Sequence, residues 1–198
     1  MKQDLIRIGY NTIATTYLKE RASLKTGKYL NQFSALLPAQ SHVLDLGCGA
    51  GIPVDSILIK HGHLVTGIDI SEKQIQLARQ VCLGGNFMVG NMANLRPGQY
   101  AVDAVISLYA IFHLPRTTHA NFLKTIASFL TKGGLLFITM GDKDFEGNHQ
   151  LLGTNMWSSH FAPAKNTQLV TQAGFTILTN ELDTSGGERH QIILARRN

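Results

Sequence analysis

Two cysteines, one tryptophan and no long apolar run set the first limits on this 198-residue chain. Cys48 and Cys82 make neither a CxxC pair nor a zinc pattern, so neither a disulfide framework nor a structural metal is expected. No stretch approaches the 18 or so apolar residues of a membrane span. The opening MKQDLIRIGYNTIATTY also lacks the unbroken apolar core of a signal peptide. A cytoplasmic location, away from any membrane, is the expectation. Repeats, low-complexity tracts and linkers are missing too, which predicts one domain over residues 1–198. With 44% hydrophobic and 16% charged residues, the composition is that of a soluble globular domain.

The net charge of +5 is concentrated at one end. Residues 1–38 carry Lys2, Arg7, Lys19, Arg21, Lys25 and Lys28 against only Asp4 and Glu20. A dense basic patch with interleaved aromatics does not occur, so a solvated helical face is expected and nucleic acid is not an expected partner. His61 and His63 lie one residue apart, and two such ligands do not close a coordination sphere. No metal site is expected.

What is present centres on Val43-Leu44-Asp45-Leu46-Gly47-Cys48-Gly49-Ala50-Gly51. The apolar positions read as the end of a buried parallel strand, and the glycines as a tight strand-to-helix turn. Glycine there permits positive φ and lets backbone approach a ligand. Pro53 suits the first turn of the helix that follows. A strand, a glycine turn and a helix N-terminus make a nucleotide-sized site at the carboxyl edge of a sheet. A dinucleotide fits poorly. Ile52 stands where GxGxxG needs its third glycine, and Asp45 would repel a pyrophosphate but suit a cation.

These nine positions resemble motif I of the class I S-adenosylmethionine (SAM) dependent methyltransferases. The resemblance implies a Rossmann-like, doubly wound α/β sheet of about seven strands, mostly parallel with an antiparallel last strand and helices on both faces. It implies SAM as donor, S-adenosylhomocysteine as product, and cofactor contacts from Asp45, Gly47, Cys48 and Gly49.

Residues 2–37 read as one or two helices. Within residues 1–38, Tyr10-Asn11-Thr12-Ile13-Ala14-Thr15-Thr16-Tyr17 resembles the "YDxxAxxY" lid helix of small-molecule methyltransferases, which implies that Tyr17 lines the cofactor pocket and Tyr10 the acceptor side. Asn11 stands where that family often has Asp. His42–Leu46 is the first strand, 53–61 a helix, and Leu64–Ile70 a second strand ending in Asp69, 18 residues after Gly51. An acid near that offset reaches a ribose diol, with Ile70 against the adenine. Ser71-Glu72-Lys73-Gln74 is a capping box for a helix to about Leu83. Residues 86–92 are a third strand and its exit; by resemblance, Asn91 accepts from the adenine amino group and Met92 offers its backbone N–H.

Residues 100–107 form a fourth strand beside the first, where strand order reverses. By resemblance, Ser107 and Leu108 border the cofactor and Tyr109 the acceptor. Ser107-Leu108-Tyr109-Ala110 lacks the Asn/Asp-Pro-Pro-Tyr of amino-group methylases acting on DNA adenine or glutamine. Ile111-Phe112-His113-Leu114-Pro115-Arg116 resembles the "xxHLPR" of small-molecule enzymes, ahead of a helix expected over 116–131. A fifth strand over 133–140 leads into 141–162, read as a long acceptor-side loop. Its Met156-Trp157-Ser158-Ser159-His160 resembles an "MxWSH" segment and makes Trp157 a candidate acceptor wall. A helix over 163–173, a strand over 174–182, a turn over 183–188 and a last strand over 190–196 complete the chain.

The expected reaction is in-line methyl transfer to an oxygen or nitrogen of a small molecule, with alignment supplying much of the catalysis. His113 and His160 are the two candidate bases. Methylation of RNA or protein, SAM binding without turnover, and a nicotinamide oxidoreductase stand as rivals.

Overall fold

A computed structural model describes residues 2–22, 27–184 and 189–198. In chain order the helices and strands are α1 (Lys2–Arg21), α2 (Gly27–Leu36), β1 (His42–Leu46), α3 (Val54–Lys60), β2 (Leu64–Asp69), α4 (Glu72–Val81), β3 (Asn86–Val89), β4 (Val102–Ser107), α5 (His119–Ala127), β5 (Leu130–Met140), β6 (Phe145–Leu151), β7 (Thr154–His160), α6 (Pro163–Gln172), β8 (Phe175–Asp183) and β9 (His190–Arg197).

Seven strands form one sheet in the order β3-β2-β1-β4-β5-β9-β8, and β9 alone runs against its neighbours. Side chains alternate across a strand, so each central strand feeds two cores. From β5, Leu136 and Ile138 join Phe122, Leu123 and Val170 on one face, whereas Leu135 and Phe137 join Leu30, Phe33 and Leu58 on the other. Burial on both faces is why these strands read as unbroken apolar runs. Phe33 meets Phe137 at a ring separation of 5.4 Å, and both are fully buried. Each such burial contributes roughly 1.5–3 kcal/mol.

β1 and β4 are adjacent and parallel, so the chain leaves in opposite directions from their carboxyl ends. The crevice at that switch point is where ligands of open α/β sheets bind. Over it lies α1. Gly9 allows this close approach, because a Cβ there would sit 2.5 Å from Met156 Sδ on β7.

Three boundaries differ from the sequence reading. The segment 141–162 is not a loop: β6 and β7 pair as an antiparallel hairpin with Phe145 opposite His160. Leu152 and Gly153 turn it with positive φ, a pair without the usual Asn-Gly signal. The helix expected over 116–131 is a short 3₁₀ turn followed by α5, which ends at Ala127. β5 then begins at Leu130, before the two glycines, and a register shift in its pairing with β4 absorbs Gly133 and Gly134. The turn expected over 183–188 lies largely outside the described residues, at 185–188.

Candidate functional site

The turn after β1 is built as its glycines demand. Gly47, Gly49 and Gly51 take φ of 84°, 56° and 74°, a region costly for side-chain-bearing residues. A Cβ at Gly47 would also overlap Ala110. The Gly47 and Cys48 N–H groups donate to the Ile68 carbonyl at 2.7 and 3.1 Å, tying the turn to β2. The Cys48 side chain packs against Gly67, and burial pushes its thiol well above the usual range.

Asp69, at the end of β2, closes the same cleft. Its carboxylate accepts from the Gly49 N–H at 2.9 Å and the Ser71 N–H at 2.8 Å. Burial raises its pKa to about 6, against the opposing pull of those backbone donors. Ser71 caps α4 by accepting from the Gln74 N–H, worth about 1 kcal/mol. That cap holds the loop carrying Ile70 at the cleft wall.

Asp45 lies deeper, on β1. Burial raises its pKa to about 7, with a hydrogen bond to Asp55 opposing and the Asp69 charge adding. Asp55, which the sequence reading missed, is fully buried in α3 and raised well above the carboxylate range by burial and then by Asp45. Neither Asp55 oxygen finds a donor among the described residues. Burial together with the repulsion between the two carboxylates favours a state in which one of them carries a proton.

Helix α1 roofs the cleft with Ile6, Tyr10 and Tyr17. Asn11 latches it: Oδ1 accepts from the Ser71 hydroxyl at 2.7 Å and the Lys73 N–H at 3.1 Å, and Nδ2 donates to Glu72 at 2.6 Å. An aspartate at this position would face Glu72 with like charge, which accounts for Asn. Gly47, Gly49, Ile70, Asn91, Met92 and Leu108 are among the other residues of its floor and walls. Asn91 gives one lone pair to the Ala93 N–H at 2.9 Å, which leaves a second for a ligand. Next to this cleft is a second one, lined by Tyr17, Arg21, Asp45, Cys48 and Tyr109.

Ser107 does not line either cleft. Its hydroxyl donates to the Leu46 carbonyl at 3.0 Å and ties β4 to β1. The resemblance implied a cofactor contact here; the Ser107 side chain is buried and turned to Leu46 instead. Trp157 is likewise corrected. Its indole lies buried under the Lys2 ammonium, 4.0 Å from the ring centre, and lines none of the cavities around Tyr109. Its backbone carbonyl instead accepts from His113 Nδ1 at 2.9 Å.

A separate cavity of about 320 Å³ opens beyond Tyr109, between the β5–β6 segment and the start of β9. Tyr10, Tyr109 and His113 line both this cavity and the cleft under α1. Tyr109 holds φ of 56°, a strained value for a residue with a side chain, while its N–H donates to the buried Thr139 hydroxyl. His160 lines the cavity, and its Nδ1 donates to the Lys143 carbonyl at 2.6 Å. Gly141 makes room for it, since a Cβ there would overlap the imidazole. Burial lowers the pKa of both histidines, His113 to about 4. Phe112, Phe145, His149, Arg189 and His190 also line this cavity and were not foreseen. They arrive from three distant segments, and no local pattern joins them.

No group of three or more His, Cys, Asp or Glu able to hold a metal occurs among the described residues. The buried, backbone-braced Asp69 and the side-chain-free glycine turn fit a neutral ribose and a cationic tail. They suit SAM better than a phosphate ligand.

Comparisons with known proteins agree. Residues 43–134 match a family described as "Methyltransferase domain". The chain is 26% identical over 184 residues to a ubiquinone biosynthesis O-methyltransferase of Coxiella burnetii, covering 85% of this chain and 71% of that one. Two solved structures share the fold. Magnesium protoporphyrin IX methyltransferase from Synechocystis PCC 6803 with bound S-adenosylhomocysteine has TM-score 0.74, 21% identity and full coverage of both chains. The 1,6-didemethyltoxoflavin-N1-methyltransferase of Burkholderia thailandensis has TM-score 0.74 and 18% identity, covering 98% of this chain and 88% of that one. Residues 43–134 thus resemble a methyltransferase domain, and the seven-stranded sheet that includes them has the fold of these two solved methyltransferases.

Proposed function

We propose that the chain binds SAM under α1 and transfers its methyl group to an oxygen or nitrogen of a small molecule held in the 320 Å³ cavity. One observation carries this reading: the two spaces share a wall made by Tyr10, Tyr109 and His113. The named relatives support both heteroatoms, one being an O-methyltransferase and the other an N1-methyltransferase. Cys48 and Cys82 are both free thiols, which suits a cytoplasmic setting.

Bound SAM supplies a methyl group on a sulfonium that is already a good leaving group. Asp69 accepts from the ribose hydroxyls, Ile70 and Met92 flank the adenine, and Asn91 accepts from its amino group. Asp45 holds the ammonium end, and Tyr17 covers the donor. The clefts around the glycine turn hold only about 50 and 60 Å³ in this conformation, far below the ~300–1,000 Å³ of typical ligand sites. Helix α1 therefore lifts to admit the donor and closes over it to exclude water.

His160 is the base for an acceptor that arrives protonated. With Nδ1–H given to Lys143, its Nε2 carries the lone pair, and no hydrogen bond to Nε2 is formed among the described residues. His113 has the same tautomer, but its Nε2 already accepts from the Tyr10 hydroxyl at 2.8 Å. It positions the roof instead. Incubation with methyl-labelled SAM and a panel of small hydroxyl and amine compounds tests the reading. Label transfer to a panel member is expected; SAM binding with no turnover on any of them would favour a sensor.

A further inference from the structure

The chemistry of the acceptor is written on its cavity. The ionised side chains lining it are Arg21, Lys143 and Arg189 against one carboxylate, Asp142, which lies 3.6 Å from Arg189. The histidines add polarity rather than charge where burial holds them neutral, as at His113 and His160. The walls are rings. Phe112 stacks on His190 at 5.6 Å with planes 14° apart, and Phe145 lies 5.5 Å from His160. Arg21 sits 4.1 Å above the Tyr109 ring, so the inner wall is both aromatic and cationic.

We infer that the acceptor is an aromatic compound bearing a carboxylate, its ring lying against the wall made by Phe112, Phe145, His160 and His190 and its acid group facing Lys143 and Arg189. A flat conjugated molecule gains most from walls that are themselves flat rings. A carboxylate matches the guanidinium fork of Arg189 and the point charge of Lys143. Both cations are exposed at the cavity mouth, so the acid stays partly hydrated while the ring goes inward. The heteroatom to be methylated then lies toward the wall shared with the donor cleft, beside Tyr10 and Tyr109. Asp142, set among the cations, discourages a dianion. A cationic amine would meet repulsion from three sides, and a neutral phenol would leave the positive mouth without a partner.

This rests on the methyltransferase reading, and the test separates the two. Binding of 4-hydroxybenzoate and 6-hydroxy-2-naphthoate is measured by calorimetry in the presence of S-adenosylhomocysteine, alongside the matching carboxamides. The acids should bind at least tenfold more tightly than the amides. Lys143→Gln with Arg189→Gln should erase that ratio while leaving S-adenosylhomocysteine affinity unchanged, because neither residue lines the cleft under α1. Equal affinity for acid and amide, preference for the amide, or no binding of either acid would overturn the inference and leave the methyltransferase reading intact. Absence of S-adenosylhomocysteine binding would overturn both.

Discussion

The hydroxyl of Tyr10 and the Nε2 of His113 lie 2.8 Å apart, joining the roof helix to the turn after β4. His113 Nδ1 faces the Trp157 carbonyl, which can only accept, so Nε2 must accept from Tyr10. Three elements are thereby joined through one imidazole. Burial holds the Tyr10 phenol well above 10 and His113 down to about 4, so neither changes charge near neutrality.

That contact behaves as a clasp. Tyr10→Phe and His113→Phe should each destabilise the protein, and the double variant should lose less than the two losses added together. A double-mutant cycle by urea denaturation should give a coupling of about 1 kcal/mol, the usual net worth of a buried hydrogen bond. Strict additivity would mean that the contact holds nothing.

Asn11 makes a sharper case, because a one-atom change reverses its role. Asn11→Asp keeps the acceptor for Ser71 but turns the donor to Glu72 into a second carboxylate. The roof should loosen, and S-adenosylhomocysteine should dissociate faster in stopped-flow experiments, several-fold at low salt and less at high salt. An unchanged dissociation rate would dissociate the latch from cofactor retention.

Proton linkage follows from the buried acids. Asp45 and Asp69 are raised by burial from 3.8 to about 7 and about 6. Between the unfolded and folded values the native state keeps protons that the unfolded chain has released. Stability of the ligand-free protein is therefore greatest below about pH 4 as far as these groups are concerned, and falls as pH rises towards about 7. Asp55→Asn replaces the proton held by the pair with an amide donor and should flatten that slope. A cationic donor favours the ionised carboxylates, so SAM binding should release protons and strengthen between about pH 5.5 and 8. Calorimetry in two buffers of different ionisation heat at one pH reads the release directly; identical heats would contradict it.

The glycine turn, Asp69 and the Ser71 cap were legible in the sequence because each is local. A φ requirement, a strand end and a cap lie within a few residues of the pattern that reveals them. β1 was read with its observed bounds for the same reason. The hairpin over 145–160 was read as a loop because β6 is half exposed and polar, so its alternation resembles loop composition. Asp55 stands in the first turn of α3, where an acid is ordinary in sequence; only its burial beside Asp45 makes it unusual. Arg21 and His190 come from opposite ends of the chain, brought together because β9 inserts between β5 and β8. Ser107 and Trp157 show the converse error, residues at the right place in the chain whose side chains turn inward.

A calorimetric titration of S-adenosylhomocysteine into the wild-type chain and into Asp69→Ala tests the central claim most directly. The wild type should saturate at one equivalent, and the variant should bind more weakly by about 1–3 kcal/mol, the cost of losing charged hydrogen bonds. No heat from the wild type, or equal affinity in both, would contradict a donor site built on the glycine turn and Asp69.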